Sequence, residues 1–226
     1  MTGSDRRRIG VLGGTFDPIH VGHLVLARSA RAALSLDEVR LMPTGASWQK
    51  SAVVASAAQR LDMLRLAIGS GADGTGDAGG LVADDREVRR GGPSYTVDTL
   101  VELRGELGPD AAIVLILGSD QLRNLATWNR YEQLLQHAHI ACTQRERVPL
   151  TDLPEPVEAL VRRHGAQRLA DAPAGSLVFF TMPPVPVSAT ALRAQLARGE
   201  RPAELVAPAV LDYIDQHQLY RPRPAR

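Results

Sequence analysis

Short apolar runs alternate with segments of helical period along this chain, and that alternation constrains its fold more than any other feature. The runs Arg8 to Leu12, Glu38 to Pro43, Leu81 to Ala83, Ala111 to Leu117, His139 to Thr143 and Leu177 to Met182 read as strands. Between them, Leu24, Leu26, Ala27 and Ala30 mark one helix, and Ser56 to Ile68, Thr96 to Leu107, Tyr131 to His137 and Pro154 to Arg163 mark others. Thr96 is expected at the cap of its helix, with Asp98 in the first turn. After Pro183, Pro184 and Pro186, two more helices are expected near Ser188 to Arg198 and Pro208 to Gln216. A βαβ progression implies parallel strands with right-handed crossovers. The expected fold is α/β, a doubly wound, mainly parallel sheet with helices on both faces. Residues 8–182 would form the core of one domain and residues 183–220 a small helical C-terminal part.

Composition narrows the class. The chain has 226 residues, 44% hydrophobic, which suits one domain with a sizeable core. Its net charge of +1 argues against nucleic acid as a partner, which would call for a basic face. The single cysteine, Cys142, excludes an internal disulfide and reads as a small buried hydrophobe. No apolar stretch is long enough to span a bilayer and residues 1–8 lack a signal-peptide centre, so no membrane partner and a cytoplasmic location are expected. Residues 69–80, rich in glycine, read as a surface loop without a function. Oligomeric state is left open, a homo-oligomer included.

The chemistry is concentrated after the first strand, in Gly13-Gly14-Thr15-Phe16-Asp17-Pro18-Ile19-His20-Val21-Gly22-His23-Leu24. A strand-to-helix turn offers unsatisfied N–H groups and the positive end of a helix dipole, a ready site for phosphate. The turn carries neither a dinucleotide G-x-G-x-x-G nor a P-loop pattern, and it sets His-x-Gly-His where those loops set glycines or lysine. His20 and His23, three apart, are expected on one side of the first helical turn, with Gly22 letting a nucleotide approach the backbone between them. A His-x-x-His pair alone is more often structural or a weak metal site; the twelve-residue string is far more specific. Lys50 is the only lysine, every other Lys/Arg position being arginine, which suits a role for a compact ammonium no better than chance placement in a loop. Because ligands of an open parallel sheet sit beyond the carboxyl ends of its strands, the turns after 12, 43, 117 and 182 are expected to line one cleft.

The string Gly13 to Leu24 resembles the signature of the adenylyltransferase superfamily that shares its core with class I aminoacyl-tRNA synthetases, in the form found in bacterial nicotinate-nucleotide adenylyltransferases. The resemblance implies a Rossmann-like fold and runs from Ile9 to Tyr220, with Tyr213-Ile214 and Leu219-Tyr220 also similar. Ser188-Ala189-Thr190-Ala191-Leu192-Arg193 is similar to the family's I-S-S-T-x-I-R motif for the ATP phosphates, with Ala189 in place of the second serine. Taken alone, Ser188 or Thr190 would be an N-cap. Ser94-Tyr95-Thr96-Val97-Asp98-Thr99-Leu100 resembles the segment that contacts the pyridine nucleotide, and Trp128 matches the tryptophan that stacks on the nicotinate ring. Gly118-Ser119-Asp120 matches a G-x-D whose aspartate reaches ribose hydroxyls. Two places depart from the family: Trp48-Gln49-Lys50 lacks the histidine of Pro-His-Lys, and Arg145-Glu146 stands where Arg-Pro-Gly is common.

The resemblance implies transfer of AMP from ATP to nicotinate mononucleotide, with deamido-NAD and pyrophosphate as products. His20, His23 and Arg193 would be catalytic; Gly13, Gly14, Thr15, Phe16, His20, Gly22, His23, Gly118, Asp120, Ser188, Thr190 and Arg193 would bind ATP; and Lys50, Tyr95, Thr96 and Trp128 would bind the acceptor. Mg²⁺ would arrive with the ATP phosphates, since the motif supplies few carboxylates for a protein metal site. An adenylyltransferase acting on phosphopantetheine or nicotinamide mononucleotide, and a nucleotide-binding regulator without turnover, are the alternatives. The residues alone do not separate nicotinate from nicotinamide.

Overall fold

The computed structural model describes residues 6–45, 53–69, 79–144 and 152–221. In chain order the elements are β1 (Arg8–Gly14), α1 (Val21–Leu34), β2 (Glu38–Pro43), α2 (Ala57–Gly69), β3 (Leu81–Ala83), α3 (Arg86–Arg90), α4 (Thr96–Leu107), β4 (Ala112–Leu117), α5 (Ser119–Arg123), α6 (Leu134–His137), β5 (His139–Gln144), α7 (Glu155–His164), β6 (Leu177–Thr181), α8 (Ala189–Ala197) and α9 (Pro208–Gln216). The six strands form one sheet in the order β3-β2-β1-β4-β5-β6, and every neighbouring pair is parallel. This is the doubly wound order, which reverses direction between β1 and β4.

Alternation along the strands divides the core between two faces. In β4, Val114 and Ile116 face the helices α1, α2, α8 and α9, while Ile113, Leu115 and Leu117 face α4, α5, α6 and α7. All six residues of β4 are buried, as expected of a central parallel strand covered on both faces. Val210, Leu211 and Ile214 of α9 belong to the same cluster as Leu24 of α1 and Leu64 of α2, so the final helices complete the first face. Cys142 lies in the second cluster, and burial pushes its thiol up to about 12, which leaves it protonated and unreactive. Among the described residues, no helix is long and apolar enough to cross a membrane.

Helix ends account for most differences from the expected boundaries. Ser56 and Gln59 form a reciprocal capping box at the start of α2: the Gln59 N–H donates to Ser56 Oγ at 3.2 Å and the Ser56 N–H to Gln59 Oε1 at 2.9 Å. Thr96 is not the cap of α4. Tyr95 holds that position with extended backbone, and its carbonyl accepts the N–H groups of Asp98 and Thr99, which makes Thr96 the first helical residue. The segment expected as one helix over Tyr131 to His137 is a 3₁₀ turn, Tyr131–Gln133, followed by α6, the chain entering through the left-handed Arg130 at φ 51°. Helix α3 was not expected. It has no apolar stripe; Arg86 is buried against Asp84 at 2.7 Å and Glu106 at 2.8 Å, so ion pairs hold it in place of hydrophobic packing.

Candidate active site

A cleft of about 600 Å³ opens where β1 and β4 end side by side, at the point where the strand order reverses. It is lined by the turn Gly13 to Asp17, by Thr190 and Arg193 of α8, by Tyr95, Thr96 and Trp128, and, just beyond β4, by Gly118 and Asp120. Motifs separated by up to 180 residues of chain thus meet at one surface. Lys50, with Trp48 and Gln49, lies outside the described residues, as do Arg145 and Glu146.

The turn is shaped by its own side chains. Phe16 takes φ 50° and is buried, and its ring meets His23 edge-on with centroids 4.9 Å apart. A Cβ on Gly14 would stand 2.8 Å from that ring, so only glycine lets Phe16 fold back beneath the turn. His20 is the N-cap residue of α1, with extended backbone. Its N–H donates to His23 Nδ1 at 3.3 Å. A ring nitrogen that accepts carries no proton, so His23 in this arrangement is the neutral tautomer with its proton on Nε2. That N–H is a donor suited to a phosphoryl oxygen.

The two imidazoles stack, centroids 3.7 Å apart and planes 23° from parallel. They differ in setting. His23 borders the cleft, whereas His20 is 8% exposed, stands behind it, and has no hydrogen-bond partner for Nδ1 among the described residues. Burial lowers the pKa of His20 to about 4, so it is neutral at physiological pH. Gly22 also stands away from the cleft lining: a Cβ there would lie 2.7 Å from Val187 Cγ1, so the space it leaves open is filled by the segment leading into α8. Ser188, the N-cap residue of α8, is exposed, lies outside the cleft lining, and makes no side-chain cap.

The depressed pKa of His20 has a consequence for stability. The unfolded chain takes up a proton near the ordinary 6.5, whereas the folded chain refuses it until about 4. Stability is therefore fully present above pH 6.5 and declines as pH falls toward 4, by up to about 3 kcal/mol from this group. His139, fully buried with Nδ1 accepting the Ser176 N–H at 3.0 Å, is shifted down by burial and adds in the same direction. Urea unfolding at several pH values should give a flatter profile for His20→Ala than for the parent chain; equal slopes would contradict the account.

Beneath the turn lies a polar junction that motif reading missed. Arg60 of α2 is 2% exposed. Its Nη1 donates to the Thr15 carbonyl at 2.7 Å, Nη2 to those of Thr44 at 2.6 Å and Gly45 at 3.1 Å, and Nε to that of Ala55 at 3.3 Å. The planar fork joins the turn after β1 to the turn after β2. Beside it the buried Asp17 carboxylate accepts from the backbone N–H groups of Val54 (2.8 Å) and Ala55 (3.1 Å) and from the Tyr220 hydroxyl (2.7 Å). The Asp17 carbonyl accepts from Arg193 Nη1 at 2.9 Å, which fixes that guanidinium at the cleft edge. A signal for Arg60 existed: it shares the helical stripe of Met63, Leu64 and Ala67, an arginine on an otherwise apolar face. None existed for the contact between Asp17 and Tyr220.

Glu87, also in the cleft lining, is buried, and burial raises its carboxyl pKa while the Thr99 hydroxyl donates to Oε1 at 2.7 Å. Trp128 is half-buried, its Nε1 enclosed and without a partner among the described residues. The carboxylates near the cleft are thus largely engaged with the protein's own donors, and among the described residues no group of three or more His, Cys, Asp or Glu side chains is gathered for a metal. Such a donor set fits an ion whose ligands are supplied mainly by a nucleotide.

The family described as cytidylyltransferase-like matches residues 11–195. A protein of Laribacter hongkongensis named probable nicotinate-nucleotide adenylyltransferase is 44% identical over 222 residues, covering 98% of each chain. One of the same name from Pseudomonas fluorescens is 43% identical over 220 residues, covering 95% of this chain and 98% of its own. Among solved structures, Plasmodium falciparum nicotinic acid mononucleotide adenylyltransferase complexed with NaAD superposes with a TM-score of 0.71 at 19% identity, covering 95% of this chain and 98% of that one, a likeness of fold. On the full-length identity of its relatives and the family match across its core, the chain belongs to the cytidylyltransferase-like family and, within it, to the nicotinate-nucleotide adenylyltransferases.

Proposed function

We propose that this chain transfers the adenylyl group of ATP to nicotinate mononucleotide, releasing pyrophosphate and deamido-NAD for NAD biosynthesis in the cytoplasm. The observation that carries the reading is that one cleft is lined both by donors suited to phosphate, His23 and Arg193, and by the aromatic side chains Tyr95 and Trp128. A 5′-phosphate oxygen of the mononucleotide attacks the α-phosphorus of ATP in line. One P–O bond forms, the bond from the α-phosphorus to the bridging oxygen breaks, and the electron pair leaves with pyrophosphate. The acceptor phosphate is already a nucleophile, so the chain's contribution is positioning and charge stabilisation.

In this reading the His23 Nε2–H, with His20 behind it, faces the α-phosphoryl oxygens. The N–H groups from Gly13 to Thr15 and the start of α1 receive the phosphates. Arg193, held by the Asp17 carbonyl, neutralises the departing pyrophosphate with the Thr190 hydroxyl beside it, and Lys50 meets the acceptor. Gly118 and Asp120 meet the ribose, and Trp128 stacks on the pyridine ring above Tyr95 and Thr96. Mg²⁺, carried on the ATP phosphates, supplies neutralisation of their charge when bound.

Pyrophosphate release is the test, measured with Mg-ATP and, in parallel, nicotinate mononucleotide, nicotinamide mononucleotide or phosphopantetheine. Strong preference for the nicotinate form is expected. Release only with phosphopantetheine, or with none, would overturn the reading. Trp128→Ala should raise KM for the mononucleotide roughly tenfold, as loss of one aromatic stack predicts, with kcat changed by less than about twofold.

A further inference from the structure

The sequence pair Leu219-Tyr220 lies beyond α9, far from every motif assigned above, yet its tyrosine ends beneath the cleft. The backbone goes out of its way to bring it there: Gln218 at φ 51° and Tyr220 at φ 64° both take the left-handed conformation that bulky side chains rarely adopt. Tyr220 is 7% exposed, and its hydroxyl donates to Asp17 Oδ1 at 2.7 Å across 203 residues of chain. Packing alone would be satisfied by a phenylalanine. Burial and the adjoining carboxylate hold this hydroxyl protonated far above the working range of pH, so it stays a donor.

What Asp17 holds in turn is cleft wall. Its carbonyl anchors Arg193, and its carboxylate gathers the amides of Val54 and Ala55, where the chain returns from the loop after β2. We propose that Tyr220 is a positioning residue for the reaction: acting through Asp17, its hydroxyl fixes where Arg193 and the 53–55 segment stand relative to the phosphate turn. The catalytic part of this inference rests on the proposed function above. Misplacement of a group by a fraction of an ångström, far from the chemistry, is enough to slow turnover substantially.

The test is Tyr220→Phe in the full chain, which keeps the buried ring and removes one oxygen. Leu211→Val is the control, a buried α9 residue of the same hydrophobic cluster whose backbone N–H donates to the Ala207 carbonyl and whose side chain has no polar atom to offer Asp17. With Mg-ATP and nicotinate mononucleotide, Tyr220→Phe should lower kcat about tenfold and leave KM for the mononucleotide within about twofold, because the groups Asp17 holds are Arg193 and the amides of Val54 and Ala55. Amide hydrogen exchange gives a readout independent of activity: exchange at Val54 and Ala55 should quicken roughly tenfold or more, with Ile113 to Leu117 of β4 unchanged. Leu211→Val should do neither. Turnover and exchange at parent values in Tyr220→Phe, or equal losses in the control, would overturn the proposal. A parent chain that releases no pyrophosphate with any acceptor would sink the functional reading instead, and the exchange at Val54 and Ala55 would still decide the coupling.

Discussion

Replacing His23 with alanine is expected to lower kcat by roughly 10²–10³, the usual cost of removing one preorganised donor from a developing oxyanion. The expectation follows from the tautomer. The N–H of His20 is committed to His23 Nδ1, which leaves Nε2 as the ring's donor, and His23 borders the cleft. KM for the mononucleotide should change little, since the proposed reading gives its ring to Trp128 and Tyr95 rather than to His23. His23→Gln, whose amide can present an N–H near the place of Nε2, should recover part of the loss. Turnover in His23→Ala within a factor of three of the parent would remove the donor from the mechanism.

Much of this arrangement is legible in the sequence because it is local. The strands Glu38–Pro43 and Leu81–Ala83 and the helices Thr96–Leu107 and Pro208–Gln216 keep the bounds read from apolar runs and helical period. Leu41 to Pro43 and Leu81 are buried as an apolar run would be, and Val97, Leu100 and Leu103 of α4 recur every three residues, which is what pattern reading detects. The convergence of turns beyond the strand ends also follows from topology alone, and the strand order bears it out. Helix α3 escaped because its stability comes from Arg86 reaching Asp84 and Glu106, contacts between charged residues that look like a solvated surface in sequence. The roles inside the signature were only partly separable. Sequence spacing places His20 and His23 together, but it does not say that one is enclosed near 8% exposure while the other borders the cleft. Gly22 reads as room for a nucleotide; that a side chain there would also meet Val187, a residue from the far end of the chain, has no trace in the sequence. Long-range polar contacts such as Asp17 with Tyr220 leave no periodic trace at all.

The largest effect on stability is expected at Arg60. Burying a guanidinium is costly, and among the described residues this one is hydrogen-bonded by four backbone carbonyls rather than by a carboxylate, with the charge of Asp17 nearby. Desolvation lowers its pKa, yet a guanidinium remains charged in proteins, so the cation is a permanent part of the core. Arg60→Met would fill much of the volume but leave the carbonyls of Thr15 and Thr44 without donors and the Asp17 carboxylate without its neighbouring cation. Each loss is of the kind that exceeds the value of the bond itself, because the remaining group stays buried. The expected cost is about 3–5 kcal/mol, a large share of the roughly 5–15 kcal/mol that holds a domain together. Arg60→Lys keeps the charge but cannot span both turns with one rigid fork, so it should lose about half as much. Urea unfolding at pH 7.5 measures both. Raising the salt concentration should leave the difference intact, since a buried cation is little screened, whereas an exposed pair such as Arg201 with Asp212 would weaken. A loss below about 1 kcal/mol for Arg60→Met would mean that the two turns find other donors, and that their spacing around the cleft does not depend on this side chain.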